Sequence, residues 1–448
     1  MIFGCQSLKT VPGAALVSAS CPSKAVLDQL ADWARWEGEL AAGPAGAESA
    51  LVARLSQVPD LRRSKGLRHP LVLILALTAC ATLVVGSDSV TAIWQWAAAA
   101  PPEKLAGLGA RWDPFTRRFV VPGERTFRRV LAQMDGDALD GAVGGWVADV
   151  ERGVAPEPVV PVTPGPAERE QRRAVRRAAE HPVPQGVLPG AALDGKALKG
   201  ARTDAGPVFL VGAISHARGA VLGQRQVPSK RGEGVAAHDL LTGLNVPGMV
   251  WTLDALHTTR ATARLITEDL HGHYVLIIKG NQPIALATAQ ALLAGPDSEW
   301  ADTTAGEDDR GHGRVERRTI RVAPADDGLF PGAAQAFRLR RDTGALDGVM
   351  EHKEIVYGIT SLPADLAGPA HLNYYERRHW VIENRLHWVR DVTFHEDGSQ
   401  LRTGTAPRAL AAFRNLAISA FRLAGRANIA HARRDLHDRQ DAFGIFGI

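Results

Sequence analysis

The chain predicts an α/β protein: a mixed sheet flanked by helices, entered through a helical N-terminal region and interrupted by a β-rich block. Three observations carry this. From Val187 onward, short apolar runs alternate with helical patterns. Residues 58–150 keep a helical pattern through several successive segments. Residues 296–370 break the alternation with β-like runs punctuated by Gly and Asp.

At 448 residues and 45% hydrophobic content the chain can build two or three domains. Residues 1–57 form an Ala- and Gly-rich extension with one helix expected around Lys24 to Trp36. Val11 to Cys21 has the outline of a lipoprotein signal, but Pro12 and Gly13 break its apolar core. Within 58–150, helices are expected over Leu71–Gly86, Val90–Ala99, Glu124–Met134 after Pro122-Gly123, and Leu139–Val150. The Leu71 run is about 16 residues, short of the roughly 20 that cross a bilayer. Thr78, Cys80 and Thr82 dilute it, so it reads as a buried core helix, with no membrane partner.

A proline-rich linker, 151–189, carries an Arg/Glu stretch with helical character. The core is expected over 190–295 and 371–425, with the β-rich insertion 296–370 between and a basic tail, 426–448, after it. Leu193 closes a first strand. Val208–Ile214 and Ala220–Gln226 pair as a hairpin around Gly219, and Ala236–Leu244 is helical. Met249–Leu253 is strand, Thr258–Leu270 helix, Tyr274–Ile278 strand. The insertion holds Arg314–Val322, Ala336–Arg341 and Glu354–Ile359; helices carrying Glu383 and spanning Pro407–Ala424 follow. This order is that of an RNase H-like fold with a block inserted ahead of its last acidic helix.

The chemistry rests on three distant carboxylates. They are Asp194 in Ala-Leu-Asp194-Gly-Lys196, Asp254 in Trp251-Thr-Leu-Asp254-Ala-Leu-His257, and Glu383 in His379-Trp-Val-Ile-Glu383-Asn-Arg-Leu-His387-Trp-Val-Arg390. An acid at the end of a buried strand is held rigidly, as a cage for two hard cations requires. Two such ions, roughly 3.5–4 Å apart, clamp the attacking and leaving oxygens of an in-line displacement at phosphorus. Mg²⁺ suits oxygen ligands, and Mn²⁺ is the alternative. Asp194 is expected to bridge both ions, with Asp254 on one and Glu383 on the other. His379, Glu383, His387 and Arg390 recur at helical offsets and share one face, placing cationic donors beside the acid. Lys196, Lys199 and Lys279, in Lys279-Gly-Asn281-Gln282, offer further phosphate contacts.

Alternatives stand beside these readings. Asp254 alone reads as a turn residue and Glu383 alone as a solvent-face residue. His379, Glu383 and His387 have the spacing of a zinc face. His312 reads as a turn residue, and Trp380 and Trp388 as packing. Net charge is +4 and the isoelectric point near 9.1. The basic residues cluster: Arg62, Arg63, Lys65 and Arg68; Arg172, Arg173, Arg176 and Arg177; and Arg402, Arg408, Arg414, Arg422, Arg426, Arg433 and Arg434. Each cluster reads as a phosphate-binding patch or as a solvated helix face. Cys5, Cys21 and Cys80 are too few and scattered for a disulfide framework or thiolate zinc site.

Together the segments resemble the DDE transposases of bacterial insertion sequences, specifically the H-repeat-associated subgroup. The resemblance runs in order over roughly 58–424. It includes Arg62-Arg63-Ser-Lys-Gly-Leu-Arg68-His69-Pro70, Glu124-Arg-Thr-Phe-Arg128-Arg129, Asp194-Gly-Lys-Ala-Leu-Lys-Gly, Asp254-Ala-Leu-His257-Thr, Lys279-Gly-Asn-Gln282, Gly311-His-Gly-Arg-Val-Glu316-Arg and His379 through Asp397. It implies catalytic, metal-binding Asp194, Asp254 and Glu383, surrounded by DNA contacts at Lys196, Lys199, His257, Lys279, Asn281, His379, His387 and Arg390. It further implies metal-dependent cleavage at terminal inverted repeats and transfer of the 3′-hydroxyl into target DNA. The helical region 58–150, with Arg125, Arg128 and Arg129, becomes the end-binding domain. A homodimer or larger assembly would act in the synaptic complex, in a bacterial cytoplasm at the nucleoid. The wider transposase signature has Tyr, then Arg three on, Glu four further and Lys seven beyond. Here those places hold Glu376, His379, Glu383 and Arg390, with Tyr375 one place early. Ser229-Lys-Arg-Gly-Glu233 resembles a loosened Lys-Ser-Asn-Glu motif, and Glu233 has no assigned role. A host nuclease of the same fold and a domesticated, non-catalytic DNA-binding relative are the rival readings.

Overall fold

A computed structural model describes residues 49–448 apart from 64–66, 87, 204–205, 228–231, 297–298, 301–303 and 312. The extension helix, Cys5, Cys21, Lys65, most of the Ser229 motif and His312 therefore lie outside the described residues. Trp112–Arg118 belongs to a separate small unit; Glu48–Arg111 and Phe119–Ile448 make up the other, described below.

The N-terminal helices are α1 (Ala50–Ser56), α2 (Leu71–Leu83), α3 (Val90–Ala98), α4 (Pro102–Gly107), α5 (Glu124–Gln133) and α6 (Gly136–Glu151). Helix α2 starts after Pro70 and is buried on nearly every side. Its two threonines satisfy their hydroxyls inside the helix, Thr78 Oγ1 donating to Ile74 O and Thr82 Oγ1 to Thr78 O, both at 2.7 Å. No described helix is long and apolar enough to cross a membrane. Helix α7 (Pro166–Glu180) is the Arg/Glu stretch of the linker, and its described side chains are almost all exposed.

A nine-stranded sheet follows: β1 (Gly190–Thr203), β2 (Gly206–Ser215), β3 (Val221–Val227), β4 (Val250–Leu253), β5 (His273–Ile278), β6 (Thr304–Gly311), β7 (Arg314–Pro324), β8 (Gln335–Ala345) and β9 (Met350–Thr360). Its spatial order is β3-β2-β1-β4-β5-β9-β8-β7-β6. Strands β1, β4 and β5 run parallel, with Leu193, Leu253 and Leu276 in register. Strand β2 is antiparallel to β1, and β3 to β2. The β-rich block is not a separate layer. Strand β9 pairs antiparallel with β5, and β8, β7 and β6 carry the same sheet outward as a meander.

Side-chain alternation sorts the two faces. Ala191, Leu193, Trp251, Leu253 and Leu276 pack with α8 (Glu233–Leu244), α9 (Arg260–Arg264, prolonged by a wide turn to Asp269) and α10 (Pro283–Leu292). On the opposite face, Val250 and Val275 meet Leu372 and Tyr375 of α11 (Pro369–His379), while Ala192 and Ile214 join the N-terminal helices. After α11 the chain continues through wide i→i+5 turns, Glu383–His387 and Val389–Thr393. It closes with α12 (Ala406–Leu423), α13 (Ile429–Arg434) and α14 (Arg439–Ile445). All 18 residues of α12 are buried.

This burial changes the reading of the C-terminal arginine cluster. Arg408 pairs with Asp137 and Asp140, Arg414 with Glu396, Arg426 with Asp435, and Arg433 with Asp88. Arg422 donates to the carbonyls of Arg426 and Ala427. Buried guanidinium groups need such partners, so these five face inward rather than forming a phosphate surface. The segment after Ala424, expected as a tail, is helical, and Phe443, Ile445 and Phe446 are buried in the core.

Candidate active site

The sheet register places the two aspartates. Leu193 and Leu253 are paired and point to the α8 face. The next residue of each strand therefore leaves together on the other face, where the segment after α11 brings Glu383. One ligand oxygen each from Asp194 and Glu383 and a ring nitrogen of His387 lie within 4.8 Å of one another. So do donor atoms of Asp194, Asp254 and His257. Asp194 is common to both groups.

Local hydrogen bonds hold each acid. Gly195 N donates to Asp194 Oδ1 at 2.8 Å. Asp254 Oδ1 accepts from Leu256 N and His257 N at 3.0 and 3.2 Å, and Thr258 Oγ1 donates to Asp254 O at 3.0 Å. This turn is braced by Asn281 Nδ2 donating to Ala255 O (2.6 Å) and Gln282 Nε2 donating to Thr258 O (3.1 Å). Asn281 thus spends its amide on the Asp254 loop. Glu383 Oε2 lies 3.1 Å from His387 Nδ1.

Burial raises the Asp194 carboxyl above the usual carboxylate range; His387 opposes this and the Asp254 charge adds to it. The hydrogen bond to His387 holds Glu383 below its ordinary value. Burial lowers His379, against the pull of Asp194 and Asp254, and its Nδ1 lies 3.3 Å from Thr252 Oγ1. Two adjacent carboxylates, half-buried, repel unless a cation lies between them. His257 is buried, and neither of its ring nitrogens has a hydrogen-bond partner among the described residues. Clustered hard oxygens, a shared carboxylate and an orphaned imidazole fit divalent cations.

Several expected phosphate contacts are committed elsewhere. Lys196 is buried, its Nζ 2.6 Å from Asp391 Oδ2, and Lys199 Nζ lies 3.0 Å from Asp397 Oδ2. These pairs bind β1 to the segment following Glu383. Arg390 is buried, with Nε 2.8 Å from Glu396 Oε2; Arg414 donates to the other oxygen of that carboxylate at 2.9 Å. Arg390 therefore braces the helix bearing Glu383 and does not face solvent. Lys279 is exposed and its side chain has no partner among the described residues. Arg125, Arg128 and Arg129 are exposed on α5, Arg128 paired with Glu124 at 2.7 Å. Trp380 and Trp388, read as packing, are 47% and 54% exposed, and the Arg341 guanidinium lies over the Trp380 ring, 5.7 Å from its centroid.

Sequence reasoning gave no role to Asp391, Asp397 or Thr252. Asp391 and Asp397 stand in the same motif-bearing stretch as Glu383, but nothing in their spacing reveals lysine partners from β1.

The family model described as "Transposase DDE domain" matches residues 189–419, just over half of the chain, and "DDE_Tnp_1-associated" matches residues 52–147. Among curated relatives, "Putative transposase YncI" of Escherichia coli O157:H7 is 26% identical over 387 residues, covering 83% of this chain and 87% of that protein. "H repeat-associated putative transposase YhhI" of Escherichia coli K12 is 23% identical, covering 82% and 89% respectively. A solved structure, the cryo-EM structure of piggyBac transposase synaptic complex with hairpin DNA, aligns with a TM-score of 0.34 and 12% identity over 87% of this chain and 81% of that chain, a likeness too slight to carry an argument.

Proposed function

The chain belongs to the transposase DDE domain family, and on that premise we propose that it cleaves DNA at insertion-sequence ends and joins the freed 3′-hydroxyl to target DNA. The core is read as RNase H-like, supported by the β3-β2-β1-β4-β5 order with β2 antiparallel. The single observation that carries the reading is Asp194 shared between two donor groups, one with Asp254 and one with Glu383.

Asp194 would hold both divalent ions, Asp254 one and Glu383 the other. Ions held there would supply activation of the attacking oxygen and stabilisation of the departing one. The protein's own part is positioning. The parallel register fixes the two aspartates, and the Lys196–Asp391 and Lys199–Asp397 pairs hold β1 against the Glu383 segment. Phosphoryl transfer asks little more than alignment and charge neutralisation. Lys279 and the exposed arginines of α5 are the DNA contacts this reading favours. Paired element ends imply at least two copies in the reacting complex, acting on nucleoid DNA.

The test uses duplex DNA carrying the ends that bracket the gene, with Mg²⁺ or Mn²⁺. Asp254→Ala is expected to abolish cleavage while binding the same DNA with unchanged affinity. A labelled 3′-hydroxyl donor is expected to appear covalently joined to target DNA. Cleavage without joined product would instead identify a nuclease, and full activity in Asp254→Ala would end the catalytic reading.

A further inference from the structure

We propose that Glu233 is a positioning residue of this centre, holding His257 as a nitrogen ligand of the ion between Asp194 and Asp254. The inference rests on the reading of the three acids as an ion-binding site; it makes the orphaned His257 imidazole a ligand and adds Glu233 as the side chain that holds it.

Glu233 opens α8, whose packing against β2 and β3 brings it over β1. Its carboxylate fills the space beside Gly195, the residue after Asp194. A Cβ built on Gly195 would stand 1.9 Å from Glu233 Oε1. A side chain there would have to push the Glu233 carboxylate aside. The same Oε1 lies 3.6 Å from Nε2 of His257. The imidazole is sealed from solvent, with 1% of its side chain exposed, against 18% for Glu233. Neither ring nitrogen makes a hydrogen bond among the described residues, yet one lies within 4.8 Å of oxygens of Asp194 and Asp254.

The backbone at His257 is fixed by Asp254 and, through Thr258, by Gln282. Only the ring's own surroundings are left to set its orientation. A carboxylate against a ligating imidazole fixes its tautomer and raises its basicity; losing such a partner weakens metal affinity by about 10–100-fold. Nitrogen ligation also shifts preference from Mg²⁺ toward softer ions of the Mn²⁺ kind. The bland account of Glu233 is an acid favouring the N-terminus of α8, and that account gives it no influence on a bound ion.

The test measures Mn²⁺ and Mg²⁺ binding to the full chain by calorimetry, with pulsed electron paramagnetic resonance of bound Mn²⁺ reading imidazole nitrogen. His387 is a second nitrogen near Asp194, so the spectra are taken in a His387→Gln background. Nitrogen coupling is expected to persist there and to vanish on adding His257→Gln. Glu233→Gln is expected to weaken Mn²⁺ binding by about 10–100-fold, and Mg²⁺ binding less. Gly195→Ala, which displaces the carboxylate without removing it, is expected to do the same. Lower thermal stability in Glu233→Gln with unchanged Mn²⁺ affinity and nitrogen coupling overturns the inference, as does absence of coupling in the His387→Gln protein. If Asp254→Ala still binds Mn²⁺ as tightly as the unaltered protein, the ion-binding reading itself fails; loss of Mn²⁺ there with no effect at Glu233 sinks only the present inference.

Discussion

Lys196 illustrates how a residue two places from an acid proposed as catalytic can act on it without touching substrate. Its side chain is 8% exposed and its ammonium is committed to Asp391, itself 27% exposed. Because the pair is only partly desolvated, Lys196→Met is expected to lower unfolding free energy by about 1 kcal/mol in urea titrations. Cleavage should fall more than stability, since β1 loses a tie to the Glu383 segment, while DNA affinity and its salt dependence stay unchanged. Lys279→Ala should show the reverse: unchanged stability, with the slope of log affinity against log salt shallower by about one phosphate contact. The two lysines read alike in sequence, and burial alone separates them.

At the scale of elements, the Arg390–Glu396–Arg414 triad ties the wide-turn segment after Glu383 to α12. Glu396→Ala would leave two buried guanidinium groups without their acid, so a loss of about 3–5 kcal/mol is expected by denaturant unfolding. Although burial works to raise it, Arg390 and Arg414 hold the Glu396 carboxyl below its ordinary value. A depressed carboxyl contributes stability above the unfolded value, near 4.3, and that contribution is lost as pH falls through the folded value. Unfolding free energy should therefore drop on acidification below about pH 4, with a shallower slope in Glu396→Ala. Helix α7 behaves differently. Arg172, Arg173 and Arg176 are exposed, and among the described residues only Arg176 of the three forms an ion pair, with Glu180 at 3.4 Å. Replacing all three with Gln should leave thermal unfolding unchanged and, if α7 faces DNA, reduce the salt slope by about 2–3.

Across the whole molecule, one apolar core runs from Leu51 and α2 through α6 to α12 and Phe443, taking in Ala192 and Ile214 of the sheet. A buried polar chain crosses the same junction: Arg408 bonds Asp140, Gln224 donates to Asp140, and Asn415 donates to Gln224. The helical N-terminal region and the sheet should therefore unfold in a single transition by calorimetry. Truncation after Gly425 removes buried Phe443, Ile445 and Phe446 and the Arg433–Asp88 pair. At roughly 2 kcal/mol for each buried side chain, several kcal/mol are lost, and the shortened chain is expected to be insoluble or to melt well below the full one.

The sequence by itself determined the family and most of the elements, and it singled out the three acids as candidates. Apolar runs and helical offsets are local, so the strands ending at Leu193 and Leu253, the buried Leu71 helix and the position of Glu383 could be read without a fold. Their motif order was distinctive enough to indicate the family. What each cation does was decided only by tertiary structure. Arg390 and Arg414 face a common glutamate, Lys196 meets Asp391 across nearly two hundred residues, and Glu233 lies against His257 beside Gly195. Pairing of charges depends on which elements pack together. A guanidinium in solvent and one buried against a carboxylate carry the same letter, and only the packing that removes water distinguishes them.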